Sequence, residues 1–577
     1  MKIAVHWVYS QPDVLLYMQS NGNINLKTTN FFVWAAMQIS QLFSIMETIF
    51  VLFFALLFSV QCTKSMPAEG YPSKISSVQL TPVGIPFLIG KPEMSLYEMK
   101  IDCEEGTGIT ELKNITINFT ADSHPDCIST LTVSNADVDH SNFGVTQNVE
   151  IQTAFSGNRA IATGANFFLL NFALKPNVKL SEYFEIQDIV VSFGNNQSIK
   201  IKPESKFVYR PTLLLREAGQ DQTNTYRIPG LATTNKGTLI AVYDNRYQGG
   251  GDLQGDIDVG MSRSTDGGQT WEPMKVVIDM GTFNGLPQNQ NGVGDPTVLV
   301  DQNTNTIWVA GLWVSGIPGQ SAWNGSKPGM KPDETGQFIL VKSEDDGITW
   351  SQPINITSQC KRPEWNLFFQ GPGKGITMKD GTLVFPAQYK DEQKIPFSTI
   401  ICSKDHGKTW TVGTGAKSNT TESQVVQLPD GSLMLNMRDD RNKTEKGNDN
   451  GRAVSVTNDL GKTWTVHSSS NSALQESNCQ ASLISAKVLV GVISKEVLFF
   501  SNPNDKNLRA HMTIKASLDG GVTWPVACQT ELNSADSFGY SCLTMVDENT
   551  LGILFEGTKN LYFQKISVSQ LLGNTSK

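Results

Sequence analysis

The sequence predicts an all-β protein in which a β-sandwich domain precedes a six-bladed β-propeller. Two observations support this prediction. Residues 76–205 contain short runs of alternating apolar and polar residues, broken by Asn, Gly, Ser and Asp, which is the pattern of strands joined by turns. From about residue 210 onward the motif Ser/Thr-x-Asp-x-Gly-x-Thr-Trp occurs five times, and near-periodic repetition of strand-rich units is typical of radial β-architectures.

The spacing of this motif, which we call the Asp box, predicts the number of blades. Successive box tryptophans are 79, 60, 54 and 60 residues apart, at Trp271, Trp350, Trp410, Trp464 and Trp524. Four-stranded blades take about 40–60 residues each, so the region from 210 to 570 has room for six. Because there are five boxes, we expect one blade to lack the motif.

The residues of the Asp box favour a structural role. Aspartate hydrogen-bonds the backbone of its own tight turn, glycine adopts positive φ there, and tryptophan anchors the turn by its apolar surface. We therefore expect the five box aspartates to be scaffold and not catalytic groups: Asp266, Asp345, Asp405, Asp459 and Asp519.

Composition narrows the functional class. The chain has 577 residues, of which 39% are hydrophobic and 18% charged, as in globular proteins with two or three domains. Its net charge of −9 argues against a nucleic-acid partner, because such proteins carry a basic face. A local cluster of arginines is still compatible with a small anionic ligand.

The eight cysteines show no metal-binding pattern, because neither CxxC nor a Cys/His ligand spacing occurs. Cys103 and Cys127 are a candidate disulfide pair within the sandwich. The five cysteines of the C-terminal part are an odd number and are expected to be buried thiols.

The N-terminal region carries an export signal. Residues 48–62 contain an uncharged, mostly apolar run that is shorter than the ~20 residues of a membrane span and suits a signal peptide. The residues before it are unusual for such a signal, so we expect translation to start at Met37 or Met46. Cys62 follows the run as a candidate lipidated cysteine, the alternative being cleavage near Ser65. The predicted location is periplasmic, outer-membrane-anchored or extracellular.

One short stretch links the repeats to a known family. TYRIPGL at 225–231, followed by several Asp boxes, resembles the bacterial exo-α-sialidases (neuraminidases), and the resemblance extends from 210 to about 565. Those enzymes are six-bladed propellers, many with an added β-sandwich. The resemblance implies hydrolysis of terminal α-linked sialic acid from glycoproteins, glycolipids and oligosaccharides, with sialylated glycans as partners and without a cofactor or metal.

This resemblance completes the predicted domain organisation. The sandwich is either a carbohydrate-binding domain or a support that shields or mounts the propeller. We expect a monomer whose only attachment to a membrane is the candidate lipid anchor at Cys62. The predicted domains are an N-terminal extension with signal peptide (1–62), a linker (63–75), the accessory β-sandwich (76–205) and the catalytic propeller (206–577).

The family clamps the sialic acid carboxylate with three arginines. Arg227, Arg438 and Arg509 match these positions, and Arg441 is the alternative for the second. Guanidinium groups suit this task, because their planar fork holds a carboxylate in a fixed orientation as a lysine does not.

The resemblance also implies a tyrosine nucleophile. The anomeric carbon of a sialoside bears a carboxylate, which would repel the carboxylate nucleophile used by most retaining glycosidases, and sialidases are a known exception in this respect. Tyr540 is the candidate and Tyr562 its rival. Glu422 is the expected partner that polarises the tyrosine hydroxyl.

The general acid/base is expected to be an aspartate on a mobile loop. Asp252 lies after three consecutive glycines, 249–251, which favour such a loop. Asp256 and Asp258 are the alternatives.

Four more residues are predicted to support the site. The resemblance implies that Arg246 lies near the substrate carboxylate, that Asp295 meets the 4-position of the sugar ring and that Glu556 orients the first arginine. Trp313 is predicted to line an apolar pocket for the N-acetyl methyl group.

Two other functions are compatible with the same residues. A trans-sialidase, including the intramolecular kind, would replace water by a second sugar or an internal hydroxyl. A non-catalytic Asp-box propeller would only bind or assemble, and the presence of all the core candidates argues against it.

Overall fold

The protein is almost entirely β-structure, as the sequence predicts. The computed structural model describes residues 75–104, 110–136 and 141–573, so the predicted signal peptide, the alternative starts and Cys62 lie outside the described residues. Helical structure in these ranges includes three single-turn α-helices, and no described helix has the length and apolar character needed to cross a membrane. The helices are α1 (Ala322–Gly325), α2 (Thr357–Cys360) and α3 (Val568–Leu571).

The first ten strands include the two sheets of a β-sandwich. One sheet has the order β1-β3-β8-β5-β6 and the other β10-β9-β4-β7, and their inner faces form one hydrophobic core. The predicted boundary at 205/206 falls after the last of these strands. The strands are β1 (Ile75–Pro82), β2 (Phe87–Leu88), β3 (Met94–Cys103), β4 (Thr110–Phe119), β5 (Ile128–Asn135), β6 (Asn142–Thr146), β7 (Gln152–Ile161), β8 (Gly164–Leu174), β9 (Ile186–Phe193) and β10 (Ser198–Ile201).

The candidate disulfide between Cys103 and Cys127 is wrong, and both side chains are buried without forming it. Cys103 pairs in register with Gly164 at one end of β8, whereas Ile128, next to Cys127, pairs with Leu174 at the other end. A strand rises ~3.3 Å per residue, so the two cysteines lie far beyond the Cα separation of about 7 Å that a disulfide spans. The five C-terminal cysteines are buried thiols, as expected.

The remaining strands form six sheets, and we call each a blade. Blades 1 to 5 are β12–β15, β16–β19 with β21, β20 with β22–β26, β27–β30 and β31–β34, and blade 6 is β35–β37 with β11 and β2. The strands are β11 (Pro211–Arg216), β12 (Thr225–Thr233), β13 (Leu239–Arg246), β14 (Ile257–Ser264), β15 (Lys275–Ile278), β16 (Val293–Val300), β17 (Ile307–Trp313), β18 (Gln337–Ser343), β19 (Ile354–Asn355), β20 (Leu367–Gln370), β21 (Gly373–Lys374), β22 (Ile376–Thr377), β23 (Leu383–Lys390), β24 (Pro396–Ser403), β25 (Thr411–Val412), β26 (Lys417–Ser418), β27 (Thr420–Gln427), β28 (Leu433–Asp439), β29 (Ala453–Thr457), β30 (Thr465–Val466), β31 (Ser482–Val490), β32 (Ile493–Pro503), β33 (Met512–Ser517), β34 (Gln529–Asn533), β35 (Ser541–Asp547), β36 (Thr550–Glu556) and β37 (Leu561–Ser567).

The six blades close into a ring, which is the architecture of a β-propeller. Neighbouring blades contact one another through the pairs β12/β16, β16/β20, β23/β27, β27/β31 and β31/β35, and β12 of blade 1 contacts β35 of blade 6. The ring is closed by β11, which precedes blade 1 in the chain but pairs antiparallel with β37 of blade 6. Blade closure by an early strand ties the two ends of the propeller together and removes an exposed sheet edge.

Each Asp box forms the turn between the third and fourth strands of blades 1 to 5, and blade 6 lacks one. In the first box, the Asp266 carboxylate accepts hydrogen bonds from the Thr270 amide at 2.9 Å, the Thr270 hydroxyl at 2.6 Å and the Ser264 hydroxyl at 2.8 Å. The same contacts recur at the other four boxes. The box aspartates are thus engaged by their own turns, as the sequence predicts.

The sandwich and the propeller form one compact unit. β2 from the sandwich segment pairs parallel with β11 and so joins blade 6. Gln269, within the first Asp box, donates from Nε2 to the Val178 carbonyl at 2.9 Å and accepts from the Leu180 amide at 3.2 Å. The first Asp box is therefore also a docking point for the sandwich.

Candidate active site

The predicted site residues meet at the end of the ring opposite the Asp boxes. Arg227 and Glu422 lie near the start of the first strands of blades 1 and 4, and Tyr540 directly precedes the first strand of blade 6. Arg438 is near the end of a second strand, and Asp252 is in a loop between second and third strands. Since adjacent strands within a blade are antiparallel, all these points lie on one face of the propeller.

A cavity of about 300 Å³ opens on this face. One part of its wall is polar and includes the candidate catalytic groups, and the other is apolar. The lining residues are Ile228, Asp252, Leu253, Asp295, Leu312, Ser321, Ala322, Trp323, Leu367, Phe369, Gln388, Thr421, Glu422, Arg438, Asp440, Lys443 and Tyr540. This volume is in the lower range of small-molecule sites.

Tyr540 and Glu422 form the contact expected of a nucleophile and its base. The Tyr540 hydroxyl donates a hydrogen bond to Glu422 Oε1. Arg438 Nη1 donates to Glu422 Oε2 at 2.7 Å and to the Tyr540 hydroxyl oxygen at 3.2 Å. Burial, followed by the negative charge of Glu422, raises the pKa of Tyr540 well above its usual value although Arg438 and Arg509 oppose the shift. The phenol is therefore protonated at rest, and its proton points at Glu422.

The buried carboxylate of Glu556 hydrogen-bonds both Arg227 and the backbone of Tyr540. This carboxylate is fully buried and accepts from Arg227 Nε at 3.1 Å, from the Ile228 amide at 2.8 Å and from the Tyr540 amide at 2.9 Å. Ile228 has a φ of 56°, which is strained for a β-branched residue, and the hydrogen bond to its amide stabilises that conformation. Glu556 thus connects the Arg227 guanidinium to the backbone at Ile228 and Tyr540.

Asn478, which the sequence analysis missed, links the other two arginines. Its side-chain Oδ1 accepts from Arg438 Nη2 at 2.9 Å, and its backbone carbonyl accepts from Arg509 Nη2 at 3.1 Å. Arg509 Nη1 donates to the Phe538 carbonyl at 3.0 Å, and its guanidinium lies 5.6 Å from the centre of the Tyr540 ring. No sequence signal marks Asn478, because it lies outside the boxes in an irregular segment between β30 and β31.

Two guanidinium donors in this group have no hydrogen-bond partner among the described residues, although Arg438 Nε lies 3.9 Å from Asp440 Oδ1. Arg227 Nη2 and Arg438 Nε are both buried and make no hydrogen bond. Buried donors of this kind are costly unless a ligand satisfies them. The alternative Arg441 is engaged elsewhere, because its Nε and Nη2 donate to the two carboxylate oxygens of Asp439 at 2.7 and 2.8 Å.

Asp252 lies at the mouth of the cavity against two arginines. Its Oδ1 accepts from Arg246 Nη1 at 2.8 Å and from Arg227 Nη1 at 3.2 Å, and its side chain is 72% exposed. Partial desolvation by itself would raise the pKa of Asp252. The charges of Arg246 and Arg227 outweigh this effect, so the pKa of Asp252 is lowered. The alternatives Asp256 and Asp258 do not line the cavity.

Arg246 and Asp295 are connected through a buried aspartate, Asp244. Arg246 Nη2 donates to Asp244 Oδ2 at 2.9 Å, and the Asp295 amide donates to Asp244 Oδ1 at 2.9 Å. Burial and the charges of Asp244 and Asp252 raise the pKa of Asp295 well above its usual value. The Asp295 carboxyl lies in the cavity wall, where it can hydrogen-bond a ligand hydroxyl.

The prediction for Trp313 is wrong. Trp313 is 4% exposed and packs edge-to-face on Phe283, with ring centres 4.9 Å apart, inside the core between blades 1 and 2. Its strand, β17, is internal to blade 2, so a large apolar side chain on this face fills the space between sheets. The rival Tyr562 also lies outside the cavity and packs on Phe555 at 5.5 Å.

The apolar wall comes instead from a cluster that sequence reasoning missed. Leu253, Leu312, Leu367 and Phe369 belong to one buried cluster at the cavity, and the partly exposed Trp323 packs against it. Trp323 lies in α1, within a long connection of blade 2 that has no repeat pattern. An aromatic residue in such a connection is the one sequence signal that could have identified it.

Metal-binding chemistry has no candidate site in the part of the chain that the structure describes. No group of three or more His, Cys, Asp or Glu side chains is arranged there to hold a metal ion.

The chain matches one protein family and several characterised proteins. The BNR repeat-like domain family matches residues 228–556. A sialidase of Bacteroides fragilis (strain YCH46) is 47% identical over 424 residues, which are 73% of this chain and 76% of the relative. A sialidase of Clostridium perfringens is 31% identical over 393 residues, which are 65% of this chain and 96% of the relative. The solved structure of Hadza microbial sialidase Hz136 has a TM-score of 0.75 at 40% identity and covers 85% of this chain and 99% of its own.

The family match lies within the propeller, and the solved structure covers 85% of this chain. They agree with the site, in which Tyr540, Glu422, Arg438 and Asp252 line one cavity. Arg227 contacts Asp252, and Arg509 lies over the Tyr540 ring at the edge of the cavity. The chain belongs to the sialidase family.

Proposed function

We propose that the protein is an exo-α-sialidase that hydrolyses terminal α-linked sialic acid from glycoproteins, glycolipids and oligosaccharides with net retention. The observation that carries this proposal is the hydrogen bond from the Tyr540 hydroxyl to Glu422, with Arg438 in contact with both. A buried phenol aimed at a carboxylate in a ligand-sized cavity is the arrangement of an activated nucleophile.

The arginines supply the recognition of the sialic acid carboxylate. Arg227 Nη2 and Arg438 Nε are buried donors without a hydrogen-bond partner among the described residues, and a carboxylate bound between them would satisfy both. Other nitrogens of these guanidinium groups donate hydrogen bonds to Glu556 and Asn478, so the free donors are oriented before the ligand binds. Preorganised charge-assisted hydrogen bonds are the strongest in proteins.

In the first step Tyr540 Oη bonds to the anomeric carbon and the glycosidic bond breaks. The phenol proton passes to Glu422, and the leaving oxygen takes a proton from Asp252. A phenol approaches an anomeric centre that bears a carboxylate without the repulsion a carboxylate nucleophile would meet. Arg438 contacts both partners of the proton transfer and stabilises the charge that moves between them.

Asp252 must be protonated for this step, although its pKa is lowered in the ligand-free protein. The bound sialic acid carboxylate competes with Asp252 for Arg227 and adds a negative charge nearby. Both effects raise the pKa of Asp252, since a like charge disfavours ionisation. Substrate binding thus prepares the acid that the reaction needs.

In the second step water resolves the sialyl-enzyme. Asp252, now a carboxylate, takes a proton from the water. The water oxygen bonds to the anomeric carbon, and the bond between this carbon and Tyr540 Oη breaks. Tyr540 regains its proton from Glu422. Two successive inversions give net retention.

The shape of the cavity supports attack on the terminal sugar. A volume of about 300 Å³ suits one monosaccharide, so only a chain end enters. The apolar cluster with Trp323 is placed to receive the methyl group of an N-acetyl substituent, and Asp295 in the cavity wall can hydrogen-bond a ring hydroxyl.

The test is the time course of hydrolysis of sialyllactose followed by NMR. We expect α-anomeric sialic acid to appear first and the β-anomer to follow by mutarotation. If the yield of free sialic acid is the same with and without excess lactose, the result supports hydrolysis. Formation of new sialosides would identify a trans-sialidase. A folded protein that leaves both aryl and natural α-sialosides intact would contradict the proposal and favour a binding propeller.

We further propose that the protein is exported. Support comes from the apolar run at 48–62, and mass spectrometry of the mature N-terminus would distinguish lipidation of Cys62 from cleavage near Ser65. We also propose that the sandwich binds carbohydrate. Binding of the full chain to glycan arrays would test this.

A further inference from the structure

A buried arginine at the junction of the two domains has no acidic partner. Arg210 lies in the segment between β10 and β11 and is 4% exposed. Its Nη1 donates only to neutral groups, the Val208 carbonyl at 3.2 Å and the Thr530 hydroxyl at 3.4 Å, and its Nε has no hydrogen-bond partner. Within the described residues no carboxylate lies within ion-pair distance of its guanidinium.

Such a charge is costly to bury. An ion taken out of water loses several kcal/mol of solvation unless an opposite charge or a full set of hydrogen bonds replaces it. Burial lowers the pKa of Arg210 to about 10, although the more distant Tyr183 and Glu185 act in the opposite direction. Arg210 therefore remains charged at neutral pH and needs compensation.

A small cavity lies beside Arg210 in the seam between the sandwich and blade 6. Its volume is about 40 Å³. The sandwich contributes Ser181 and Glu182, and blade 6 with α3 contributes Thr550, Lys565, Ser567 and Gln570. Thr550 and Ser567 are directly paired in register on β36 and β37, so their side chains emerge on one face of the sheet.

The charges around this cavity do not cancel. Arg210 and Lys565 contribute two positive charges and Glu182 one negative charge, which leaves a net charge of +1. The Glu182 carboxylate accepts a hydrogen bond from the Lys179 amide at 3.2 Å and forms no ion pair with either cation among the described residues. Hydroxyl groups of serine and threonine and the amide of glutamine supply further donors.

We propose that this seam cavity binds one small monovalent anion of halide size, chloride under ordinary conditions, and that the bound anion stabilises the docking of the sandwich on the propeller. A single negative charge balances the site, and the volume admits a monatomic anion. A sugar acid is excluded, because it needs a space like the 300 Å³ of the active-site cavity.

The first experiment compares thermal unfolding of the full chain in sodium chloride and in sodium gluconate at equal ionic strength. A ligand that binds only the folded state stabilises it in a saturable way, so we expect chloride to raise Tm by about 2–4 °C and then to plateau. Equal Tm values in the two salts at all concentrations would overturn the proposal.

Three variants locate the effect. Arg210→Met and Lys565→Gln are each expected to abolish the difference between chloride and gluconate, whereas the exposed Lys236→Gln leaves it unchanged. Lys565→Gln decides the question if Arg210→Met fails to fold. A chloride effect that persists in Lys565→Gln would place the anion elsewhere.

Glu182→Gln separates an external anion from an internal ion pair. If an anion binds, removal of the competing carboxylate shifts the chloride midpoint to lower concentration. If Glu182 itself neutralises the cations, the wild type is insensitive to chloride and Glu182→Gln acquires a chloride dependence, which would contradict the proposal. Crystals soaked in bromide should show an anomalous peak beside Arg210, and its absence at saturating bromide would also contradict it.

Discussion

The two ends of the propeller use the same residue types for different purposes. At the Asp-box end, each aspartate bonds to a threonine four positions later in its own turn. At the cavity end, Glu422 meets Tyr540 across 118 positions and Glu556 meets Arg227 across 329. The repeated motif thus builds the scaffold by local contacts, and the chemistry comes from unrepeated residues that the scaffold brings together.

The protonation equilibria differ in the same way. The side chain and amide of Thr409 lower the pKa of Asp405 to about 2, so this half-buried aspartate is ionised at neutral pH. In the cavity, burial and neighbouring carboxylates raise the pKa of Asp295 and of Tyr540. Perturbed pKa values of this kind are typical of functional sites, and here they fall on groups that line the cavity.

The largest effect is expected from Tyr540→Phe, which removes the nucleophile while the ring still packs. We expect kcat on a fluorogenic α-sialoside to fall by about 10³–10⁴-fold with little change in Tm. Tyr562→Phe, a tyrosine outside the cavity, is the matched control and should retain wild-type rates. Equal losses in the two variants would remove Tyr540 from the mechanism.

Asp252→Asn tests the acid/base at the cavity mouth. We expect a loss of about 10²–10⁴-fold on sialyllactose and a smaller loss on an aryl sialoside, whose leaving group departs without a proton. Asp256→Asn, four residues along the same loop, is the control and should leave the ratio of the two rates unchanged. A loss of the same size on both substrates would argue against proton donation by Asp252.

Asn478→Gly tests whether the asparagine positions Arg438. Asn478 has a φ of 58°, which glycine adopts without strain, so the variant removes the amide and leaves the backbone intact. The variant loses the hydrogen bond from Arg438 and those that Asn478 Nδ2 donates to the Asp439 carbonyl and the Asp440 carboxylate. This loss should raise KM about 10-fold or more with a smaller change in kcat. Asn196→Gly, at a φ of 63° in the sandwich, is the control, and similar kinetics in both variants would contradict the role.

The smallest effect is expected from Asp405→Asn at the opposite end. We expect unchanged kcat/KM and a Tm lower by about 2–4 °C at neutral pH. Because the folded pKa of about 2 is below the unfolded value, the stabilisation is present above about pH 4 and is lost as pH falls toward 2. The Tm difference from wild type should therefore shrink over that range. Asp333→Asn, at an exposed aspartate outside the boxes, is the control, and a catalytic defect in Asp405→Asn would contradict a purely structural box.

The sequence by itself was sufficient for the parts of the protein that local contacts define. The Asp-box turns follow from residues within eight positions, and alternation identifies the strands, so the all-β architecture could be predicted. The resemblance around Arg227 then indicated Tyr540, Glu422 and Asp252, which the structure brings into one cavity.

Contacts between blades and between domains were decided only by the tertiary structure. The sequence could not show that Trp313 packs between two blades while Trp323 reaches the cavity, because both are tryptophans in blade 2 and differ only in which neighbouring sheet covers them. Cys103 and Cys127 are close in sequence but lie near opposite ends of β8. Nothing in the sequence distinguishes Arg210 from a surface arginine, because its burial without a counter-charge results from the packing of two domains around it. Local turns depend on short-range hydrogen bonds that a motif encodes, whereas burial and charge compensation depend on which distant strands pack together.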